Sequence, residues 1–204
     1  MYSKSREKEF NCPQCGYLLS IHFKFSKLVK CYSCGSSIFL EDDSAKLIGK
    51  SSTLSAEPSL IKLHSPFRYE GKSYLPLGKI RYSYGRGFWE EWFLKDDENQ
   101  EFWLSIDEGD FSLEQKRSFS YKFKSIDTLV IGNVYGGYIV EEKGFGECVG
   151  FEGELPENIE IGEKHYYAHL SKGNGILATV ESFDNKVVTY MGRWIDPFKI
   201  EVKG

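Results

Sequence analysis

Four cysteines near the start of the chain are the residues whose type and spacing point most clearly to a chemistry. They form two Cys-x-x-Cys pairs, Cys12 with Cys15 and Cys31 with Cys34, and a glycine follows each pair. Zinc accepts four thiolates in a tetrahedron, and two such pairs about fifteen to twenty residues apart are typical of zinc sites. The spacing therefore predicts one structural Zn²⁺ ion per chain, with all four cysteines as its ligands.

Two disulfides or two redox-active motifs are the alternatives for these cysteines. Residues 1–10 are polar and lack the apolar stretch of a secretory signal, so nothing indicates an oxidising compartment. Neither pair lies in the strand–helix–strand pattern that surrounds a thioredoxin-like redox motif. The sequence favours zinc, a reducing environment and a cytoplasmic location.

The stretch around the cysteine pairs predicts a small zinc ribbon over residues 1–40. Apolar and polar residues alternate over 17–25, which indicates a strand, and residues 27–31 and 36–40 are expected to form the returning and exit strands. A unit of this size cannot bury a core of its own, so the metal must supply folding free energy on the order of 10 kcal/mol. His22, in mid-strand, is expected to be a surface histidine.

The composition places the chain among globular proteins. It has 204 residues, a net charge of −4 and 41% hydrophobic residues, which argues against disorder. The acidic balance gives no reason to expect nucleic-acid binding, although the lysines of the ribbon keep such contact open as a less favoured hypothesis. No apolar run approaches the length of a membrane-spanning helix.

The rest of the chain predicts an all-β architecture. Residues 41–63 show no sustained period and are expected to form a linker. Over 64–204, short β-branched and aromatic runs are separated by turn residues, and no long helical period occurs. We expect an antiparallel β-domain, built as a sandwich or as two partly closed small barrels. A faint internal similarity suggests two subdomains, 64–118 and 119–204.

A dense group of aromatic and acidic residues is the main candidate for ligand binding. Aromatic walls with carboxylates suit an organic cation such as a polyamine, through cation–π attraction and charge pairing. The alternatives are that the aromatic residues form sheet core and the acids decorate hairpin ends, or that two of the carboxylates do general acid–base work. The group comprises Tyr82, Tyr84, Trp89, Glu90, Glu91, Trp92, Trp103, Asp107 and Glu108.

No residue carries a clear catalytic signature. Cys148 would be a nucleophile if His165 or His169 came near it, but its setting between glycines favours a small buried residue. On a strand, residues four apart are separated by about 13 Å, so the two histidines cannot share one metal ion. Phosphate-binding, dinucleotide-binding and hydrolase motifs do not occur. We predict no catalytic residues, and the sequence leans against an enzyme.

Several short aromatic motifs resemble a known family. After the cysteine ribbon come WEEWFL at 89–94, WLSIDEG at 103–109, EGELP at 152–156 and YMGRW at 190–194. Together these resemble bacterial proteins of the domain-of-unknown-function 4178 family over roughly residues 65–194. Such proteins often begin with a zinc-ribbon-like segment, and their genes tend to lie near polyamine-synthesis and membrane-stress genes. The resemblance implies a bacterial cytoplasmic accessory protein and transfers no catalytic residue.

Three functional hypotheses remain open. The first is a non-enzymatic accessory or adaptor protein, whose ribbon faces protein partners and whose β-domain is a binding module. The second is a polyamine or organic-cation binder or modifying enzyme that uses the acidic aromatic group. The third is nucleic-acid contact through the basic ribbon.

Overall fold

The computed structural model describes residues 8–41, 44–47, 54–55, 57–183 and 186–202, and in this part of the chain the fold is all-β. Sixteen strands occur in the described residues, together with single 3-10 turns at Ile126–Thr128 and Pro197–Lys199. This confirms the predicted all-β class. The strands are Lys8–Asn11 (β1), Leu18–Ile21 (β2), Leu28–Lys30 (β3), Ser37–Glu41 (β4), Ser44–Leu47 (β5), Phe67–Tyr69 (β6), Lys72–Ser83 (β7), Phe88–Asp96 (β8), Glu101–Asp107 (β9), Asp110–Lys116 (β10), Val134–Tyr135 (β11), Tyr138–Leu155 (β12), Lys164–Lys172 (β13), Ile176–Phe183 (β14), Lys186–Ile195 (β15) and Glu201–Val202 (β16).

Eight antiparallel strands close into a ring. Their spatial order is β7, β8, β9, β10, β15, β14, β13 and β12, and β12 pairs again with β7. The closing ladder places Cys148 opposite Tyr82 and Phe151 opposite Ile80. The two expected subdomains contribute four strands each to this one ring, so the pairing gives neither a sandwich nor two separate small barrels.

The long strand β12 makes the closure possible. Its register against β7 shifts between Cys148 and Gly150, and such an irregularity bends a strand enough to serve two neighbours in turn. At the end of this ladder the backbones approach closely. A Cβ on Gly78 would lie 2.1 Å from the carbonyl oxygen of Glu154, so only glycine fits at that position.

Alternation along each strand separates the interior of the ring from its outer face. On β8, Trp89, Glu91 and Phe93 face inward, while Trp92 and Leu94 face outward. Both faces are largely buried, as expected for a strand that lies between two layers. The ladders carry the same alternation to the neighbouring strands.

Two apolar layers cover the outside of the ring. One packs outward residues of β8, β9 and β10 against the segment before β7 and the carboxyl-terminal segment, and includes Trp92, Leu104, Ile61, Phe67 and Ile200. The other packs β12, β13 and β14 against the segment before β11, and includes Val140, Leu170, Val180, Ile126 and Leu129. The interior of the ring holds a further apolar cluster, which includes Trp89 and Phe93, and beside it polar side chains such as Glu91.

The amino-terminal ribbon is joined to one end of the ring. Strand β3 pairs with the end of β12, placing Val29 opposite Glu154, and β4 and β5 continue that sheet. Phe23 and Leu28 are buried in the same cluster as ring residues such as Phe93. Full burial of each such side chain stabilises the fold by about 1.5–3 kcal/mol, so contacts between the ribbon and the ring stabilise both. Strand β5 lies inside the segment expected to be a linker.

None of the helical segments in the described part of the chain has the length or apolar character needed to cross a bilayer.

Candidate functional site

The four amino-terminal cysteines converge on one point. The sulfur atoms of Cys12 and Cys34 are 3.8 Å apart and those of Cys15 and Cys31 are 3.7 Å apart. All four sulfurs lie within 4.8 Å of one another. A tetrahedron with metal–sulfur bonds of about 2.3 Å has edges of about 3.8 Å, so this spacing can hold a metal ion.

Two matching turns position the sulfurs. The backbone N–H of Gly16 donates to the carbonyl of Cys12 at 2.8 Å, and that of Gly35 donates to the carbonyl of Cys31 at 2.9 Å. Both glycines have a φ of 74°, a conformation that other residues rarely adopt. The glycine after each pair is therefore part of the geometry that brings the sulfurs together.

A second site lies where the interior of the ring meets the ribbon. It is a cavity of about 740 Å³, lined by inward side chains of the ring and by ribbon residues including Phe25, Ser26 and Lys27. The volume suits a small organic molecule, since such pockets span about 300–1,000 Å³. The carboxyl and aromatic side chains that line the cavity are Glu91, Glu114, Glu157, Glu181, Tyr82, Trp103 and Tyr190, and His165 lies among them.

Strand alternation points these groups at one another. Glu91 comes from β8, Glu114 from β10, Glu181 from β14 and His165 from β13. Trp103 on β9 is opposite Glu114 in the ladder, and Tyr190 on β15 is opposite Thr179. The site is thus assembled from strands on all sides of the ring, and no short segment of sequence contains it.

Burial shifts the acid–base properties of the carboxyl groups in the cavity. Burial and the nearby charge of Glu181 raise the pKa of Glu91, and His165 lowers it, so that the pKa is about 7. Burial likewise raises the pKa of Glu114, to about 8 in all, although the Thr179 hydroxyl, which lies 3.0 and 2.9 Å from the two carboxyl oxygens and donates to them, offsets part of the rise. Near neutral pH the cavity therefore contains carboxyl groups poised between their neutral and ionised forms.

His165 and Glu157 also have shifted pKa values in the cavity. Burial by itself lowers the pKa of His165, but the negative charges of Glu181, Glu91 and Glu157 outweigh it and the pKa is raised. The His165 Nε2 atom lies 3.6 Å from Glu181 Oε1. Burial raises the pKa of Glu157, while Lys116, 3.7 Å away, lowers it. The negative potential of the interior thus favours a positive charge.

The nine residues predicted from sequence to bind a ligand do not lie at one site in the structure. Tyr82, Glu91 and Trp103 line the large cavity. Trp89 and Asp107 line a second void of about 20 Å³ further along the interior. A Cβ on Gly146 would lie 2.2 Å from the Trp89 ring, so that glycine makes room for the indole. Trp89 stacks on Tyr82, with ring centroids 5.0 Å apart.

The remaining four predicted residues do not reach the cavity. Tyr84 is near the rim, where its hydroxyl donates to Glu108 at 3.1 Å, and Glu108 sits in a turn with a φ of 46°. Glu90 and Trp92 face outward, because they alternate with Glu91 on the same strand. Glu90 pairs there with Arg81 at 2.7 Å. A prediction that treated both neighbours as ligands ignored the two-residue period of the strand.

Sequence reasoning missed half of the cavity. Glu114, Glu157, Glu181, Tyr190 and the role of His165 were not predicted. The available signal was the alternation itself: Glu114 directly follows Leu113, which packs outward on β10, so the two-residue period of a strand places Glu114 on the inward face. Using that signal requires the register of the closed ring, which the sequence alone does not contain.

The other candidate residues also have defined positions. Cys148 is buried in the core, and burial raises the pKa of its thiol to about 11, which agrees with the interpretation of a small buried residue rather than a nucleophile. His169, like His165, faces inward on β13, and its Nδ1 atom lies 3.8 Å from Glu142 Oε2. His22 is not a simple surface histidine, since its Nδ1 atom lies 2.7 Å from buried Glu154.

Comparison with known proteins gives one match. The family model described as Domain of unknown function (DUF4178) matches residues 62–197. The matched region contains all eight strands of the ring, and the four clustered cysteines lie before it. No curated protein and no solved structure matches the chain.

Proposed function

The chain belongs to the Domain of unknown function (DUF4178) family, and we propose that it binds a small organic cation inside its ring of strands. One observation carries the proposal. Three carboxyl groups, those of Glu91, Glu114 and Glu181, face one cavity around His165. Among the residues that the structure describes, no Lys or Arg forms an ion pair with any of the three.

A cationic ligand would supply the missing positive charge. Ionising a carboxyl group away from water is costly, and a nearby cation offsets that cost. Charge attraction is several times stronger in the partly buried interior than in bulk water. The rings of Trp103 and Tyr190, which line the same cavity, add cation–π attraction, worth about 0.5–2 kcal/mol for each well-placed ring.

The lysines around the mouth of the cavity favour an elongated cation over a compact one. Exposed Lys24, Lys27, Lys116 and Lys186 lie around it and repel a compact cation that stays at the surface. Salt screens the electric field of these exposed lysines within about 10 Å, whereas it screens the field of the interior carboxyl groups much less. An elongated amine, whose charge passes the mouth and reaches Glu91, Glu114 and Glu181, fits this arrangement best. A polyamine has that shape and charge.

We also propose that the four cysteines hold a structural zinc ion. Four thiolates fill a tetrahedral zinc site and leave no position open for substrate. The support is the sulfur spacing together with the two glycine turns. Through the ribbon, the ion would hold Phe25, Ser26 and Lys27 at the cavity, so the metal contributes to the binding site without touching the ligand.

Ligand binding is compatible with the accessory role expected from the sequence. A module that binds a cation can report it to a protein partner, and the described residues carry no motif that specifies catalysis on the ligand. The adaptor role and contact with nucleic acid both stay predictions.

Calorimetry with the triamine spermidine tests the cation site. At pH 8.5 we expect saturable binding with a change in tryptophan fluorescence, because Trp103 lines the cavity. Glu181→Gln and Glu114→Gln should each weaken binding by about tenfold or more, the size expected for losing one charge-assisted contact. Glu108→Gln, on an exposed turn, is the matched control. Absence of heat and of a fluorescence change would contradict the proposal, as would equal affinity in all four proteins.

A further inference from the structure

We propose that His22, His64 and Glu154 form a second metal site, for a divalent transition-metal ion, at the junction of the ribbon and the ring. The three residues come from three separate parts of the chain: the turn after β2, the segment before β6, and the end of β12. One ligand atom from each lies within 4.8 Å of the other two. None of its three residues lines the cation cavity or belongs to the cysteine cluster.

The donor set has the chemistry of a known class of metal centre. Two imidazoles and one carboxylate bind zinc in sites that leave the fourth position open for water or another ligand. Nitrogen and oxygen donors of this kind favour zinc, cobalt or nickel over calcium and magnesium. His22 Nδ1 already lies 2.7 Å from Glu154 Oε1, and the two imidazole centroids are 4.9 Å apart. Small side-chain movements would bring all three donors to bonding distance of one ion.

Glu154 is held rigidly in place for such a role. Its side chain is completely buried and its carboxylate accepts hydrogen bonds from the backbone N–H groups of His22 and Phe23, at 2.9 and 3.0 Å. The hydroxyl of Ser26 donates to it at 3.0 Å. These contacts fix the position of the carboxylate and of the turn that carries His22. Metal-binding carboxylates are commonly held by outer contacts of this type.

His64 is oriented by its other ring nitrogen. Its Nε2 atom lies 2.7 Å from the hydroxyl of Tyr32, which places its Nδ1 atom on the opposite, buried edge of the ring. Metal-binding histidines almost always use one nitrogen for the ion and the other for such a contact. The backbone of His64 has a φ of 58°, which is uncommon for a residue other than glycine and shows that its surroundings hold it in place.

The site is open to solvent through His22, whose side chain is 21% exposed. An ion at this point would connect the ribbon turn, the segment before β6 and strand β12. The metal-free alternative is a hydrogen-bonded anchor in which His22 simply bonds to Glu154. The two arrangements differ in whether a second metal equivalent binds.

A cobalt titration of the metal-free full-length protein distinguishes the metal site from the hydrogen-bonded anchor. Cobalt in a four-thiolate site shows strong sulfur-to-metal charge-transfer absorption, whereas cobalt bound by two imidazoles and a carboxylate shows only weak visible bands. We expect two equivalents to bind, one with the charge-transfer absorption and one without it. A wild-type protein that binds a single equivalent, with charge transfer only, would overturn the proposal.

Variants then assign the second equivalent. His22→Ala with His64→Ala should bind one equivalent, and His169→Ala, which removes an interior histidine, should still bind two. If the double variant does not fold, His64→Ala alone serves, because it leaves the contact between His22 and Glu154 in place. Retention of two equivalents in these variants would place the second ion elsewhere and refute the assignment.

Discussion

Glu90 and Glu91 are neighbours in the chain, yet the wall of the ring separates their side chains. Glu90 faces outward and pairs with Arg81 at 2.7 Å, with Lys79 3.3 Å away. Glu91 faces the cavity, and burial together with the charge of Glu181 raises its pKa to about 7. The same residue type therefore serves a structural ion pair on one side of β8 and the proposed binding site on the other.

Substitution of Glu90 should affect stability and leave binding intact. Glu90→Gln leaves the buried Arg81 without its carboxylate and Lys79 with only Glu152, 3.6 Å away, and breaking a buried ion pair costs about 3–5 kcal/mol. Denaturant unfolding should show that loss, while calorimetry shows an unchanged affinity for spermidine. Glu91→Gln should instead weaken spermidine binding without a comparable loss in the free energy of unfolding. A large loss of affinity in Glu90→Gln would mean that the inside–outside assignment of β8 is wrong.

Binding of the cation should release protons. Near pH 7 Glu114, whose pKa is about 8, is mostly neutral and Glu91 is about half neutral, and a bound cation favours the ionised form of both. Affinity should therefore rise from pH 6 to pH 9. Calorimetry in buffers with different ionisation enthalpies measures the protons directly. Binding that is independent of pH, with no protons released, would show that these carboxyl groups do not meet the ligand.

The ligand-free protein should lose stability as the pH rises from about 5 to about 8. Both carboxyl groups have folded-state pKa values above the ordinary 4.5, so the unfolded chain releases protons that the folded chain retains. The raised pKa of His165 acts in the same direction, since its contribution is present below its unfolded pKa and is lost as the pH rises through its folded pKa. Together these groups should change the free energy of unfolding by a few kcal/mol.

Glu114→Gln checks this pH dependence. The variant keeps a side chain of similar size but cannot ionise, so its stability should fall less steeply between pH 5 and pH 8 than that of the wild type. Glu108→Gln, at an exposed turn, should follow the wild-type curve. Chemical unfolding at several pH values gives both curves. Parallel slopes for Glu114→Gln and wild type would show that Glu114 keeps an ordinary pKa in the folded state.

Removal of metal from the cysteine cluster should weaken the ring as well as the ribbon. The sequence predicts that Cys12→Ser or Cys34→Ser unfolds residues 1–40 and spares the β-domain. The pairing of β3 with β12, and the burial of Phe23 and Leu28 beside Phe93, lead us to expect that the melting temperature of the ring also falls by several degrees. Tryptophan fluorescence with and without chelator measures it, and Cys148→Ala controls for loss of a thiol.

The sequence carried the features that depend on local spacing. The Cys12–Cys15 and Cys31–Cys34 pairs predicted a cluster, and the short alternating runs predicted antiparallel strands. Closure of the ring depends on the contact of Cys148 with Tyr82, residues far apart in the chain, and on a register shift in β12. Without that register the inward and outward residues of β8 and β10 cannot be distinguished.

The same dependence on distant contacts explains why the surroundings of His22 differ from the prediction. His22 was expected at the surface because its local pattern is that of an ordinary strand. Its partners, Glu154 and His64, lie in distant parts of the chain, and the pairing of β12 with β3 places Glu154 beside His22. Sites assembled by closure of a sheet leave little signal in any one segment.

A crystal structure of the protein with spermidine tests the central claim most directly. We expect the amine to extend from the mouth into the ring, with an ammonium group within hydrogen-bonding distance of Glu91, Glu114 or Glu181 and its methylene groups against Trp103. An empty cavity, with the amine bound only at exposed acidic turns such as that of Asp97 and Glu98, would contradict the account.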